Sequence, residues 1–185
     1  MRNFLKRLIP CWGLLLVALA IPNIASAGTS DAELTQKIVV IVQSYSRFTM
    51  FDDVRFTAEN GVVTLNGTVT IPIKKNEIGK RVAAVDGVRQ LVNEIHVLPL
   101  SPSDDNVRMR IARAIYNHPQ FWPLAGMAQP PIHIIVEHGH VKLMGRVSTE
   151  LDKTLAYSLA QVPGAFTVTD HLKIEKRQHR DTRGQ

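Results

Sequence analysis

Seven histidines are the first residues in this 185-residue chain that could do chemistry. His138 and His140 stand two apart, and His133 precedes them closely. Imidazole suits a transition metal, but such a site needs three or four converging ligands with supporting hydrogen bonds. The pattern holds no H-E-x-x-H pair, and His133 and His140 face one another across a strand pair in only one register. No metal is expected, and these histidines are read as exposed strand residues. The acid pairs Asp52-Asp53 and Asp104-Asp105 suit caps and loops better than a shared proton. No serine stands in a G-x-S-x-G elbow. Gly61, Gly67, Gly139 and Gly145 lie in hairpin contexts rather than between a strand and a helix, so they serve turns and close packing, not phosphate binding. No catalytic residue and no cofactor are expected.

What remains is surface chemistry. The stretch from His118 to Pro131 carries Phe121, Trp122, Leu124 and Met127 between prolines. Long loops with their own apolar side chains are often functional, and Trp and Phe suit the headgroup level of a membrane. The preceding helix bears Arg108, Arg110 and Arg113. On a helical wheel Arg110 and Arg113 lie about 60° apart, with Arg108 about 160° from Arg110. The expected membrane-binding set is therefore Arg108, Arg110, Arg113, Phe121 and Trp122, engaging anionic headgroups. The competing reading packs the rings on the domain core and leaves the arginines solvated.

The elements that position these residues occur twice. Glu59-Asn60-Gly61-Val62-Val63-Thr64-Leu65-Asn66-Gly67-Thr68-Val69 returns 78 residues later as Glu137-His138-Gly139-His140-Val141-Lys142-Leu143-Met144-Gly145-Arg146-Val147. A period this long is a whole small domain rather than a solenoid unit. Ser30 to Glu33 has capping-box spacing, and Leu34, Ile38, Ile41, Val42 and Tyr45 follow at helical intervals. Val54, Phe56 and Ala58 alternate as a strand, Asn60-Gly61 signals a type I′ hairpin, and Val63, Leu65 and Val69 return. Gly67 marks a bulge or a close approach by a helix. A second helix is predicted over 73–85, weakened by Gly79, and a third strand over 91–97. The second copy repeats the order: a helix over 104–117, strands over 132–136 and 141–147, and an amphipathic helix with Leu151, Leu155, Leu159 and Val162 inward. Phe166, Val168, Leu172 and Ile174 fill a last strand.

Each copy reads α-β-β-α-β. The fold class is α+β, two tandem domains, each a three-stranded sheet covered by two helices. The expected divisions are 1–27, a signal peptide; 31–99, the first domain; 100–103, a linker; 104–175, the second domain; and 176–185, a basic disordered tail. About 70 residues is near the lower limit for an unaided core, so packing of the copies on each other is expected.

The leader reading rests on Arg2, Lys6 and Arg7, an apolar run from Cys11 to Ile21, and Ala25-Ser26-Ala27 as cleavage site. Its removal takes the one cysteine with it. Of 22 Lys and Arg it takes three, leaving 19 against 16 Asp and Glu, a net charge of +3. The tail accounts for as much, so the two domains together are near neutral and no nucleic-acid partner is implied.

The helix opening at Asp31, the G-V-V-T-L-N-G-T-V hairpin, A-V-D-G-V at 84–88 and N-E-I-H-V at 93–97 resemble a BON domain. The second copy is similar through I-H-I-I-V-E-H-G-H-V-K-L-M-G-R-V and V-P-G-A at 162–165. Two such domains behind a leader resemble the osmotically inducible periplasmic proteins and their outer-membrane-associated relatives. The resemblance implies periplasmic, peripheral binding to phospholipid membranes or envelope components, tied to envelope integrity or osmotic stress, and no enzymatic activity. The expected partner is an anionic phospholipid surface, alternatively an envelope protein of an outer-membrane or secretion assembly. No small-molecule substrate is expected. The second copy departs from the first by five residues: Asp31 to Gly61 spans 30, Asp104 to Gly139 spans 35. The excess falls within 118–131.

Overall fold

Helix α1, Asp31–Gln43, starts where Ser30 Oγ accepts the Glu33 amide at 3.2 Å, the cap expected of that spacing. Its stripe of Leu34, Ile38 and Val42 is buried. The computed structural model describes residues 30–175. The leader expected over 1–27 and the basic tail over 176–185 lie outside the described residues.

Strand β1, Asp53–Glu59, runs antiparallel to β2, Val62–Val69. The turn between them has Asn60 and Gly61 at φ 51° and 77°, the left-handed pair a type I′ turn requires. Helix α2, Pro72–Ala83, crosses over to β3, Gln90–Val97, which pairs parallel with β2. A parallel neighbour needs such a crossover, and it leaves β2 in the centre. Leu34, Ile38, Val63, Leu65, Ile78, Val82 and Ile95 form the core between helices and sheet. Gly79 has a packing role that its low helix propensity conceals: a Cβ there would lie 2.5 Å from Asn93 Nδ2, whose amide donates to Lys75 O. Gly67 makes a close approach too, but to the neighbouring strand rather than a helix. At φ 119°, its Cβ would lie 2.1 Å from Asp53 O.

The second repeat has the same order: α3, Pro102–Tyr116; a one-turn helix α4, Trp122–Ala125; β4, Ile132–Glu137; β5, His140–Val147; α5, Glu150–Leu159; β6, Thr167–Asp170; and β7, Lys173–Ile174. Central β5 pairs antiparallel with β4 and parallel with β6 and β7. The last strand breaks in two because Asp170 Oδ1 accepts the Leu172 amide at 2.8 Å, folding the chain locally before it rejoins β5. Leu172 remains in the core, but Phe166 and Ile174, expected to fill this strand, are exposed. Of the expected inward stripe of α5, Leu155, Leu159 and Val162 pack against the second core, but Leu151 does not. Asp152 and Ala156 are buried, with Ala160 just beyond the helix, whereas Leu151 is 75% exposed, because a side chain one position away points about 100° elsewhere.

One acid serves the same purpose in both copies. Asp31 accepts the amides of Asn60 and Gly61 at 3.0 and 3.4 Å, and Asp104 accepts those of His138 and Gly139 at 2.9 and 2.8 Å. Each first helix thereby holds its hairpin turn. The repeats also touch. Met50 O accepts the Ile134 amide at 2.7 Å, continuing the hydrogen bonding of edge strand β4, and Met50 and Phe51 pack against the second core. Phe48 meets the His133 ring edge-on at 5.7 Å, and His96 Nε2 lies 3.0 Å from Glu137 Oε1.

Candidate functional site

The insertion is a closed structure. Tyr116, the last residue of α3, donates its hydroxyl to Ile132 O at 2.6 Å and accepts the Ile132 amide at 3.2 Å. One side chain thus joins the two ends of the loop. Burial raises its phenol well above the ordinary value. Within the loop, the Phe121 and Trp122 amides both reach His118 O at 2.9 Å, and Pro123 sits at the first turn of α4, where its missing amide costs no hydrogen bond. Gln120 Nε2 donates to Asp152 Oδ1 at 2.7 Å, tying the loop to the first turn of α5.

Two members of the expected membrane-binding set are not at the surface. Arg108 is 4% exposed and donates to the Asp105 carboxylate and to Val136 O, so it braces α3 against β4. It is one helical turn from buried Asp104 and one from buried Ala112, on the inward stripe. That spacing was the available signal, overridden by the rule that arginines lie outside. Phe121 is 2% exposed and belongs to the second core. Arg110 lies at the surface with its Nη1 on Pro163 O at 3.0 Å, linking α3 to the turn after α5. Arg113 is exposed in the last turn of α3. Trp122 stands 72% exposed, and Met127 in the same loop and Leu151 in the first turn of α5 are also exposed.

Between this loop and α5 lies a cleft of about 240 Å³. Its apolar wall includes Pro123, Leu124 and Met127, and its polar wall holds Arg146, Ser148, Asp152 and Glu175. Asp152 is almost fully buried. The corresponding place in the first repeat is filled. Moving 78 positions back takes Ser148 to Thr70 and Asp152 to Lys74. There the buried Lys74 Nζ lies 2.6 Å from the buried Asp52 Oδ2 and 2.7 Å from the half-buried Thr70 Oγ1. Asp52 also accepts from the amide and hydroxyl of Thr49 and of Thr70. Burial by itself would raise the Asp52 carboxyl, but these donors and the ammonium together hold it below the ordinary carboxylate value.

The histidines do not converge. His133 is opposite Met144 and His140 opposite Glu137, with His140 Nδ1 2.8 Å from Thr167 Oγ1. Among the described residues no three His, Cys, Asp or Glu side chains gather as a metal set. His133 instead lies partly buried between the repeats, with its Nδ1 unpartnered among the described residues.

Two α-β-β-α-β modules, each a mixed sheet under two helices, define a tandem of small α+β domains. A family model described as BON domain matches residues 30–99 and 103–176, and the chain belongs to that family. Among curated proteins none matches it. It is similar to CdsD, a structural protein of the type III secretion system of Chlamydia trachomatis. The identity is 15%, over 77% of this chain and 92% of that one, with a TM-score of 0.30. The C-terminal domain of CdsD is similar at 16% identity, over 78% and 98% of the two chains, with a TM-score of 0.31. Among the described residues no helix is long and apolar enough to cross a membrane.

Proposed function

We propose that this BON-family chain is a non-enzymatic, exported envelope protein that binds anionic phospholipid surfaces peripherally and reversibly, supporting envelope integrity under osmotic stress. The observation that carries the reading is Trp122: a large ring, mostly exposed, on a turn anchored by buried Phe121 and by Gln120. A rigid projecting indole enters the headgroup layer with little ordering cost. Met127, in the same loop, adds exposed apolar area, and exposed Arg113 adds attraction of about 1 kcal/mol near an anionic surface. Arg108 and Phe121 support the site from inside.

Sedimentation with vesicles tests it. The full chain is expected to bind anionic vesicles, more weakly as salt rises, and Trp122→Ala is expected to reduce binding several-fold without loss of fold. Absence of binding at low salt, or equal binding by Trp122→Ala, refutes it. A second reading, docking on an envelope assembly, draws on β6, which ends the sheet order β4-β5-β6 and so presents an outer edge. Lipid-free capture of one defined envelope protein, lost when β6 carries a proline and kept in Trp122→Ala, would favour that reading.

A further inference from the structure

We propose that the cleft beside Asp152 binds a primary ammonium group carried on a short, flexible apolar chain. The first repeat contains an internal example of this recognition. There a lysine ammonium is held by one carboxylate and one hydroxyl, Asp52 and Thr70, at 2.6 and 2.7 Å, with its stem buried. The second repeat keeps the kinds of group and changes their places. Ser148 supplies a hydroxyl at the Thr70 position, and Asp152 supplies a carboxylate at the position of the lysine itself. Among the described residues no basic side chain pairs with Asp152, whose polar side-chain partner is the neutral Gln120 amide. A nearly buried carboxylate without a cation is costly unless one is supplied.

The cleft's shape and charge agree with this. Its charged lining, Asp152 and Glu175 against Arg146, sums to one negative charge, which favours a cation. Pro123, Leu124 and Met127 give an apolar wall for a hydrocarbon stem. Its volume, about 240 Å³, is below the roughly 300–1,000 Å³ of sites for drug-sized ligands and suits a short chain. A primary ammonium offers three N–H donors, enough for Asp152 and Ser148 together. A quaternary ammonium offers none. The ligand is either a free alkylamine or the amine headgroup of a membrane lipid. Recognition of the free amine does not depend on the anionic-surface reading above.

The probe is hexylammonium, titrated into the full chain while the side-chain resonances of Gln120 and Trp122 are followed by NMR. Saturable binding is expected, weakened at least about tenfold by Asp152→Asn, which retains an oxygen for Gln120 while removing the charge. Ser148→Ala is the second variant and is expected to weaken binding several-fold. Hexyltrimethylammonium and hexanoate are expected to bind far more weakly. Vesicles of ethanolamine or choline phospholipid distinguish the source. A preference for ethanolamine headgroups that Asp152→Asn abolishes identifies the lipid, and equal association with both, alongside hexylammonium binding, identifies a free amine. The proposal is overturned if hexylammonium fails to saturate, if Asp152→Asn and Ser148→Ala both bind it as wild type does, or if hexanoate binds equally well.

Discussion

Removing either partner of the Asp52–Lys74 pair should have unequal consequences, and the inequality follows from hydrogen bonding. Asp52 is wholly buried and accepts five hydrogen bonds, from the amides and hydroxyls of Thr49 and Thr70 and from Lys74. In Lys74→Met the carboxylate keeps four of the five. The remaining penalty is an uncompensated but still hydrogen-bonded charge, at the low end of the roughly 3–5 kcal/mol for breaking a buried pair. In Asp52→Ala the ammonium retains one partner, Thr70 Oγ1, and the Thr49 and Thr70 amides lose theirs at about 1–3 kcal/mol each. The expected cost is about 5 kcal/mol or more, comparable with the whole stability of a small domain. Removing both partners together should recover part of it, because no buried charge is left. The same aspartate shapes the 48–52 segment, whose Met50 carbonyl holds the Ile134 amide of the other repeat. Urea unfolding at neutral pH measures the stabilities, and amide exchange at Ile134 reads the interface. Equal cost for Lys74→Met and Asp52→Ala, or unchanged Ile134 protection in Asp52→Ala, would refute the reasoning.

Three further outcomes are expected. Gly145→Ala puts a Cβ 2.0 Å from Pro131 O at φ 108° and should destabilise by about 3 kcal/mol or more, whereas Gly126→Ala meets open space and should change the urea midpoint little. Burial alone would raise the Asp104 carboxyl, but the Gly139 and His138 amides outweigh it and hold the value below 3.8, as with Asp52. The stability each adds is complete above that value and disappears as pH falls through the lowered one. Urea midpoints between pH 5 and 2 should therefore fall less steeply in Asp104→Asn. Burial lowers His133 below 6.5 against smaller opposing influences from Asp53 and Asp52. The unfolded chain then takes up the proton first, so stability should decline as pH drops below 6.5, and His133→Phe should flatten that part of a melting-temperature profile.

Local chemistry was legible in the residues wherever one short-range rule governs. Asn60-Gly61 and His138-Gly139 had to be turns because positive φ at two successive positions leaves few choices. Ser30 had to cap α1, and alternating Val63 and Leu65 had to face a core. The candidate site was legible only in part. Loop 118–131 has no periodicity, so nothing in its order separates buried Phe121 from exposed Trp122; the backbone path through His118 O and the Tyr116–Ile132 closure does. Arg108 was misplaced by composition, because one long cation can lie inside when Asp105 and a strand carbonyl accept from its two terminal nitrogens, even with its Nε unpartnered among the described residues. Leu151 and Phe166 were misplaced by hydropathy, since a polar neighbour with a partner can take the inward position, as Asp152 does with Gln120. The contact of Met50 with Ile134 joins segments 84 residues apart and leaves no local trace.

Duplication makes the two repeats controls for one another. Features retained in both copies belong to folding: an aspartate in the first turn of each first helix that holds the hairpin, and, at equal register, the strand glycine whose missing Cβ admits a carbonyl. Features that differ are free of that demand. In the first repeat the segment before β1 is fixed by a completed charge pair, and its Met50 backbone is thereby available to cover the edge of β4. In the second repeat the corresponding segment is longer by five residues, is closed by a tyrosine instead of an ion pair, and carries the exposed indole. Its buried acid, at the lysine's position, opens on a cleft. The first copy completes its own charge pair and touches its neighbour through Met50, while the second opens a polar-lined cleft beside a projecting aromatic side chain. On the proposals above, the first copy acts as brace and the second as binding surface, according to which copy completed its own charge pair.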